Sequence, residues 1–411
     1  MTQNYSYKIR LYPTIKQKIL LNKHFGCVRF IWNYFLDQKN KFYLENKEKD
    51  TKHYLTLNEC GSKLVGMKKQ EEYSWLKEVN SQSLQQTQLY LEGAFINFFK
   101  YKKRFPKFKK KNGKNSFTCL QGNKIKNNKL QIPKFLEGIK FKGHKNIKFD
   151  KICNVTISKT KTNKYFASVC VEKEVGQLPK NGSIIGIDLG VESFLVDSNG
   201  NKISSPNFYK QAESKLKKLH KQYSKKQGGS KNQEKARLKL AKCYEKITHQ
   251  RKDFLHKLST KLINENQVIC LEDLNVKGMM QNHNLAKSIQ DVSWSEFTHQ
   301  LQYKASWYGR EVVKIDRYFP SSKTCNKCGW IKNDLTLNDR NWVCPQCSFH
   351  LDRDLNAAKN ILNQGLNLLD INKINIAGTA KIQASGELVP TYKSEDYKHI
   401  GSLKEEIHEK V

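Results

Sequence analysis

The sequence predicts an α/β sheet domain, preceded by a β-rich unit that a helical stretch interrupts. Three observations carry this reading. Apolar strand-like runs end on acids at 184–190 (IIGIDLG) and 268–275 (VICLEDLN), with helical periodicity between and after them. Alternating apolar residues mark strands at 5–12 and across 117–175, on either side of a helical stretch. A doubled CxxC pattern, CNKC at 325–328 and CPQC at 344–347, interrupts the second half.

The chain has 411 residues, enough for two to three domains. Lys and Arg number 74 against 38 Asp and Glu, a formal charge of +36. Such an excess points first to nucleic acid; a soluble basic protein is the plain alternative. Lysine dominates the excess and suits phosphate contact as a point charge, so most of the charge should give affinity rather than base choice. Of eleven cysteines, Cys27, Cys60, Cys119, Cys153, Cys170, Cys243 and Cys270 are scattered, as free thiols in a reducing cytoplasm would be. The start, MTQNYSYKIRLYP, has no hydrophobic targeting core, and no apolar run is long enough to span a bilayer. A cytoplasmic protein without membrane contact is expected.

The elements follow in order. Tyr5, Tyr7, Ile9 and Leu11 alternate as a short strand, which Pro13 ends. Thr14 is an N-cap for a helical run through Leu36, with Ile15, Ile19, Phe25, Ile31 and Phe35 on its apolar side and Gly26 as a possible break. Residues 81–100 repeat that pattern through Leu84, Leu91, Phe95 and Phe98, so 14–100 should be a helical subdomain. The stretch 100–116 holds nine basic residues and no acid, with Tyr101, Phe105 and Phe108 among them. Lys102, Lys103, Arg104, Lys107, Lys109, Lys110 and Lys111 there suit a surface that tracks a backbone and stacks bases. A flexible linker around Pro106 and Gly113 is the alternative. Two strands around the turn KTNK at 161–164 then complete a β-rich unit, which with 5–12 could close a small barrel.

After the linker QLPKNG at 177–182 comes the run holding Asp188, then strand, DSNG turn and strand. Two lysine-rich helices fill 210–263 around GGS at 228–230. The strand 267–274 follows, then a helix with Trp294, Phe297, Leu301 and Ala305 on one face and Gly309 as its stop. A further strand, REVVKIDRYF, precedes the cysteines. The last helix carries Leu355, Ala358 and Ile361 on one side and should end at Gly365.

Two constellations carry chemistry. Cys325, Cys328, Cys344 and Cys347, with fifteen residues between the pairs, have the spacing of a zinc ribbon: each CxxC offers two thiolates to one structural Zn²⁺. His350 is a spare nitrogen nearby. The second is a set of acids far apart in sequence: Asp188, the adjacent Glu272 and Asp273, and the pair Asp352 and Asp354. Three carboxylates brought together around divalent metal would describe a two-metal phosphodiester hydrolase. Periodicity does not choose within either pair, and Asp354 could merely cap its helix.

The motif order GIDLG, LEDLN, zinc ribbon, DRDLNAAKNI resembles the RuvC-like nuclease domain of the TnpB family, transposon-encoded relatives of type V CRISPR effectors. YKIRLYPT, FGCVRFIWNYFL, AFINFFK and FPKFKKK resemble that family in the first half, and AGTAKIQASGE at 377–387 resembles its C-terminal stretch. The resemblance implies an α/β RNase H-like (RuvC-like) domain over 183–320 and 348–390, a zinc ribbon at 321–347, a wedge-type β-barrel over 1–13 and 101–178, and a helical recognition insertion at 14–100. Residues 391–411 are expected to be a disordered tail. It implies that Asp188, Glu272 and Asp354 bind two catalytic Mg²⁺ ions. It further implies an RNA-guided endonuclease that takes its guide RNA from the transposon end and cuts double-stranded DNA beside a short flanking motif. A guide-free nuclease or transposase, an RNA-guided regulator without cleavage, and an actin-like ATPase using the GIDLG loop are the competing readings.

Overall fold

The computed structural model describes residues 2–47, 54–142, 151–336 and 338–377. Strand β1 (Thr2–Leu11) leads into helix α1 (Ile15–Asn46). Thr14 and Gln17 cap α1 reciprocally: the Gln17 N–H donates to the Thr14 hydroxyl at 3.3 Å and the Thr14 N–H to the Gln17 side chain at 3.1 Å. The helix passes through Gly26 without a break. A helical glycine costs only about 1 kcal/mol relative to alanine, and burial of Phe25, Val28 and Ile31 beside it offsets that. The buried side is not the expected one throughout, since Ile15 and Ile19 are 77% and 56% exposed. Leu21 and His24 are buried instead. His24 accepts from the Asn80 N–H at 3.1 Å through one ring nitrogen and meets the Leu20 carbonyl at 2.9 Å through the other. Burial pushes its pKa down, which keeps the ring neutral. Helix α2 (Leu57–Lys69), a 3₁₀ turn (Glu71–Glu78) and helix α3 (Ser81–Tyr101) complete the helical stretch.

The β-rich unit contains β2 (Asn115–Cys119), β3 (Lys124–Lys126), β4 (Lys129–Ile132), β5 (Phe135–Lys140), β6 (Lys151–Lys159) and β7 (Tyr165–Glu174). One antiparallel sheet has the order β1-β7-β6-β2, with Ile9 opposite Ala167. A second has the order β3-β4-β5. They meet where Leu11 bridges Phe141 and the Tyr12 N–H donates to the Lys140 carbonyl at 2.7 Å. Among the described residues no second seam closes them into the expected barrel. Alternation marks strands, whereas closure depends on tilt and stagger between strands distant in sequence. The helices do not form a core of their own: Phe25, Val28 and Ile31 share one apolar cluster with Phe117, Val155 and Val169 of the sheet.

The second half contains β8 (Ile184–Asp188), β9 (Ser193–Asp197), β10 (Lys202–Ser204), α4 (Phe208–Ser224), α5 (Lys231–Glu265) and β11 (Val268–Glu272). After these come α6 (Val276–Met279), α7 (His283–Val292), α8 (Trp294–Tyr308), β12 (Glu311–Ile315), β13 (Asn341–Val343), β14 (His350–Asp352) and α9 (Arg353–Ala377). The sheet order is β10-β9-β8-β11-β12. β10, β9 and β8 pair antiparallel, while β11 runs parallel to both β8 and β12. This mixed sheet with crossover helices matches the α/β expectation and suits an RNase H-like domain. Gly309, at φ 67°, ends α8 as the sequence indicates.

Helix α9 does not stop at Gly365. There a Cβ would stand 2.3 Å from the Cys270 sulfur, and at Gly186 one would stand 2.2 Å from the Ala358 carbonyl oxygen. Both glycines mark close approach, letting α9 lie directly on β8 and β11. The chain divides into two compact units, Met1–Gly365 and Leu366–Val411, the second described only as the last part of α9. The expected extension of the nuclease domain over 378–390 and the tail at 391–411 lie outside the described residues. No helix among the described residues is long and apolar enough to cross a membrane.

Candidate metal centres

Parallel pairing of β8 with β11 sets Ile187 opposite Leu271, so the next residues, Asp188 and Glu272, stand side by side at the carboxyl ends of adjacent strands. Helix α9, pressed onto those strands, brings Asp354 in its first turn. Asp188 feels the charge of both other acids. Burial, and then the charges of Glu272 and Asp354, push Asp188 up to about 7, against the pull of Arg353. Burial also raises Glu272, which the Ser321 hydroxyl opposes by donating to its carboxylate. Asp354 lies 3.3 Å from the Arg353 Nε and 3.6 Å from an Arg340 guanidinium nitrogen.

The neighbouring acids are differently employed. Asp273 points away, to Arg317 and to Lys314 at 3.3 Å. Those partners outweigh partial burial and hold it below the usual carboxylate range. Asp352 pairs with Lys202 at 2.7 Å and caps α9, accepting from the Asp354 and Leu355 N–H groups at 3.1 and 3.0 Å. So the cap is Asp352, and Asp354 is released from that duty. Neighbouring carboxylates in a buried site resist ionising together, and an all-oxygen donor set suits a hard divalent ion. The triangle is looser than a single-ion cage. Among the described residues only the four cysteines have ligand atoms all within 4.8 Å of one another.

Those cysteines sit on two knuckles. The Gly329 N–H donates to the Cys325 carbonyl at 2.9 Å and the Ser348 N–H to the Cys344 carbonyl at 2.8 Å. Gly329 and Ser348 take the left-handed conformation, φ 79° and 56°, which turns each knuckle. The Cys325–Cys347 and Cys328–Cys344 sulfurs are 3.7 and 3.5 Å apart. Zn–S bonds of about 2.3 Å in a tetrahedron place sulfurs about 3.8 Å apart, so the cluster fits one zinc. His350 is exposed on β14 and outside the cluster.

Other residues join the two centres. On α9, the Asn356 side chain donates to the Thr324 carbonyl at 2.7 Å and accepts from the Asn326 N–H at 2.9 Å. Asn360 donates to the Ser321 and Thr324 carbonyls at 2.8 and 2.6 Å. Their signal in the sequence is a pair of amides four residues apart on an otherwise apolar helix side, LNAAKNI. Ser321 and Arg340 had no signal in the sequence, because only folding brings them to the acids.

The basic stretch is anchored rather than loose. The Trp32 indole N–H donates to the Lys107 carbonyl at 3.0 Å, and Asn33 exchanges two hydrogen bonds with the Lys109 backbone. Phe105 packs edge-on against Phe95 and Phe98. The Lys109 ammonium lies 3.6 Å from the Trp32 ring centroid, and lost hydration pushes it down to about 8. Lys102, Lys103, Arg104, Lys107, Lys109, Lys110 and Lys111 are all exposed.

Comparison with known proteins adds the lineage. The family model described as "Probable transposase" matches residues 168–283, "Cas12f1-like, TNB domain" matches 294–361, and "Helix-turn-helix domain" matches 1–48. In this structure the last of these regions is a strand and one unbroken helix. A Streptomyces pristinaespiralis protein named "Putative RNA-guided DNA endonuclease" is 36% identical over 88% of this chain and 89% of its own. The Escherichia coli K12 protein named "Putative RNA-guided DNA endonuclease InsQ" is 29% identical over 93% of this chain and 98% of its own. A mimivirus "TnpB-like protein L79" is 32% identical over 50% of this chain and 42% of its own. A solved Cas12f1–sgRNA–target DNA complex has a protein chain of similar fold, with TM-score 0.54 at 14% identity, over 88% of this chain and 99% of that one. On 36% identity over 88% of this chain and 89% of the Streptomyces relative, together with the transposase and Cas12f1-like matches, the chain belongs to the TnpB family.

Proposed function

We propose that this TnpB-family chain is an RNA-guided DNA endonuclease that cuts double-stranded target DNA beside a short flanking motif, by two-metal hydrolysis. The observation that carries it is the placing of Asp188 and Glu272 side by side on paired strands, with the charge of Asp354 acting on Asp188, while Asp273 turns to Arg317 and Lys314 and Asp352 to Lys202 and the start of α9. Asp188, Glu272 and Asp354 hold two Mg²⁺ ions, which when bound supply water activation and stabilise the leaving oxygen. Around them the chain itself orients the carboxylates through strand pairing and the α9 contact, and Arg353 and Arg340 add positive charge beside Asp354. The excess of +36 attracts phosphates, and a guide RNA derived from the transposon end supplies sequence choice by base pairing. The relatives' names and the guide-bound Cas12f1 of similar fold support this reading. The ribbon at 321–347, the RuvC-like region 183–320 with 348–390, the wedge-type unit and the recognition insertion at 14–100 are the working parts proposed. A reducing cytoplasm suits the free cysteines.

The test is to sequence RNA that co-purifies with the chain and offer plasmids with or without the complementary target. One dominant transposon-end RNA and cleavage of matched targets only is expected. Cleavage without RNA would make it a guide-free nuclease or transposase; matched binding without cleavage, a regulator.

Cys325, Cys328, Cys344 and Cys347 hold one structural Zn²⁺ in this reading. Elemental analysis of purified protein should find about one zinc per chain, and Cys328→Ser should lose it and lower the melting temperature. Native protein free of zinc, with four reactive thiols there, refutes the assignment.

The exposed basic stretch touches phosphates. Lys110→Ala with Lys111→Ala should weaken RNA and DNA binding alike and flatten the salt dependence by up to about two counterions. Lys109→Ala should do less to that slope and more to the anchoring of the stretch on Trp32. Altered sequence preference at constant affinity would mean that these residues read bases.

A further inference from the structure

Glu272 ends β11, and among the described residues no lysine or arginine pairs with it. Its longer side chain has one more rotatable bond than the two aspartates, so something must choose its rotamer. The Ser321 hydroxyl does, by donating to the Oε1 of Glu272. Ser321 is itself only 5% exposed. Its backbone belongs to a tight turn in which the Lys323 and Thr324 N–H groups donate to the Pro320 carbonyl at 3.1 and 3.0 Å. Asn360 grips that turn at the Ser321 carbonyl, and Asn356 grips it at Thr324, one residue before the first ribbon cysteine. The same helix carries Asp354.

We propose that Ser321 is a positioning residue for Glu272, held by Asn356 and Asn360, so that the base of the ribbon registers one metal-binding carboxylate against another. The inference rests on the two-metal reading above. Ser321 occupies one carboxylate oxygen and leaves the other for an ion. Partners that orient a metal ligand in this way typically contribute 10–100-fold to metal affinity or activity. The linkage also gives the ribbon a role beyond its own fold, since its first knuckle follows directly on the turn that holds Ser321.

The experiment measures Mn²⁺ binding by electron paramagnetic resonance on the full chain with its co-purified RNA, counting the Mn²⁺ that Asp188→Ala abolishes. Ser321→Ala should weaken that binding about 10-fold or more and shift the Mg²⁺ dependence of cleavage to correspondingly higher concentration. Zinc content and melting temperature should stay at wild-type values. Ser321→Thr, which keeps the hydroxyl, should bind Mn²⁺ within about 3-fold of wild type, well inside that range. Wild-type Mn²⁺ affinity in Ser321→Ala overturns the proposal while leaving the nuclease reading standing. Loss of zinc or a lower melting temperature in Ser321→Ala also overturns it, making the serine structural. If Asp188→Ala removes no Mn²⁺, the two-metal reading fails first, and the proposal with it.

Discussion

Asp188→Ala, Glu272→Ala and Asp354→Ala should each reduce target cleavage by about three orders of magnitude or more, with RNA and target binding retained. Residues that act as one catalytic unit lose nearly everything when any one is removed, so the double variants should be little worse than the singles. Binding survives because it draws on lysines and base pairing away from the site. The informative comparison is with the neighbours. Asp273→Ala removes a surface carboxylate already held by Arg317 and Lys314, and cleavage should stay near wild type. Asp352→Ala should be intermediate. It removes the cap of α9, worth about 1 kcal/mol, and loosens the turn that carries Asp354. Cleavage and binding measured side by side for all five variants decide the matter. Full activity in Glu272→Ala with loss in Asp273→Ala would reverse the assignment, and cleavage that persists in EDTA would end the two-metal reading.

Gly186→Ala should destabilise the chain strongly and abolish cleavage, although the residue bears no chemistry. The added Cβ would stand 2.2 Å from the Ala358 carbonyl oxygen and 2.7 Å from the Leu362 backbone nitrogen. Both are backbone atoms of α9, which cannot swing aside like a side chain, so α9 must lift off β8. Overpacking commonly costs 1–3 kcal/mol, and a clash with helix backbone belongs at or above about 3 kcal/mol. The melting temperature should fall by about 5 °C or more. Asp354 rides on that helix, which is why activity should go with stability. Gly26→Ala is the control of opposite sign. It meets nothing within 4 Å in the middle of α1 and should stabilise by about 0.5–1 kcal/mol. A Gly186→Ala protein that melts and cuts like wild type would show that α9 does not press on the strand.

By itself the sequence determined what is local. Alternation and capping chemistry mark β1, the start of α1 at Thr14, the α4 and α5 pair around GGS, and the stop of α8 at Gly309, because these depend on periods of two or 3.6 residues and on single caps. The cysteine spacing is equally local, since each CxxC presents two sulfurs from one short turn. The choice between neighbouring acids was not local. Only the parallel register of β8 with β11, and the pressing of α9 onto them, put Glu272 beside Asp188 and the charge of Asp354 within reach of it, while Asp273 turns to Arg317 and Lys314 and Asp352 to Lys202 and the start of α9. Gly26 and Gly365 show the same division from the other side. A glycine in a helical pattern reads as a break, but burial of the flanking residues carries α1 through Gly26, and the Cys270 side chain makes Gly365 the only size that lets α9 lie against the strand. Ser321 escaped the sequence, and the two asparagines showed there only as amides on an apolar helix side, for one reason: a hydroxyl or an amide declares its purpose only when a partner 30 or more residues away arrives within hydrogen-bond reach.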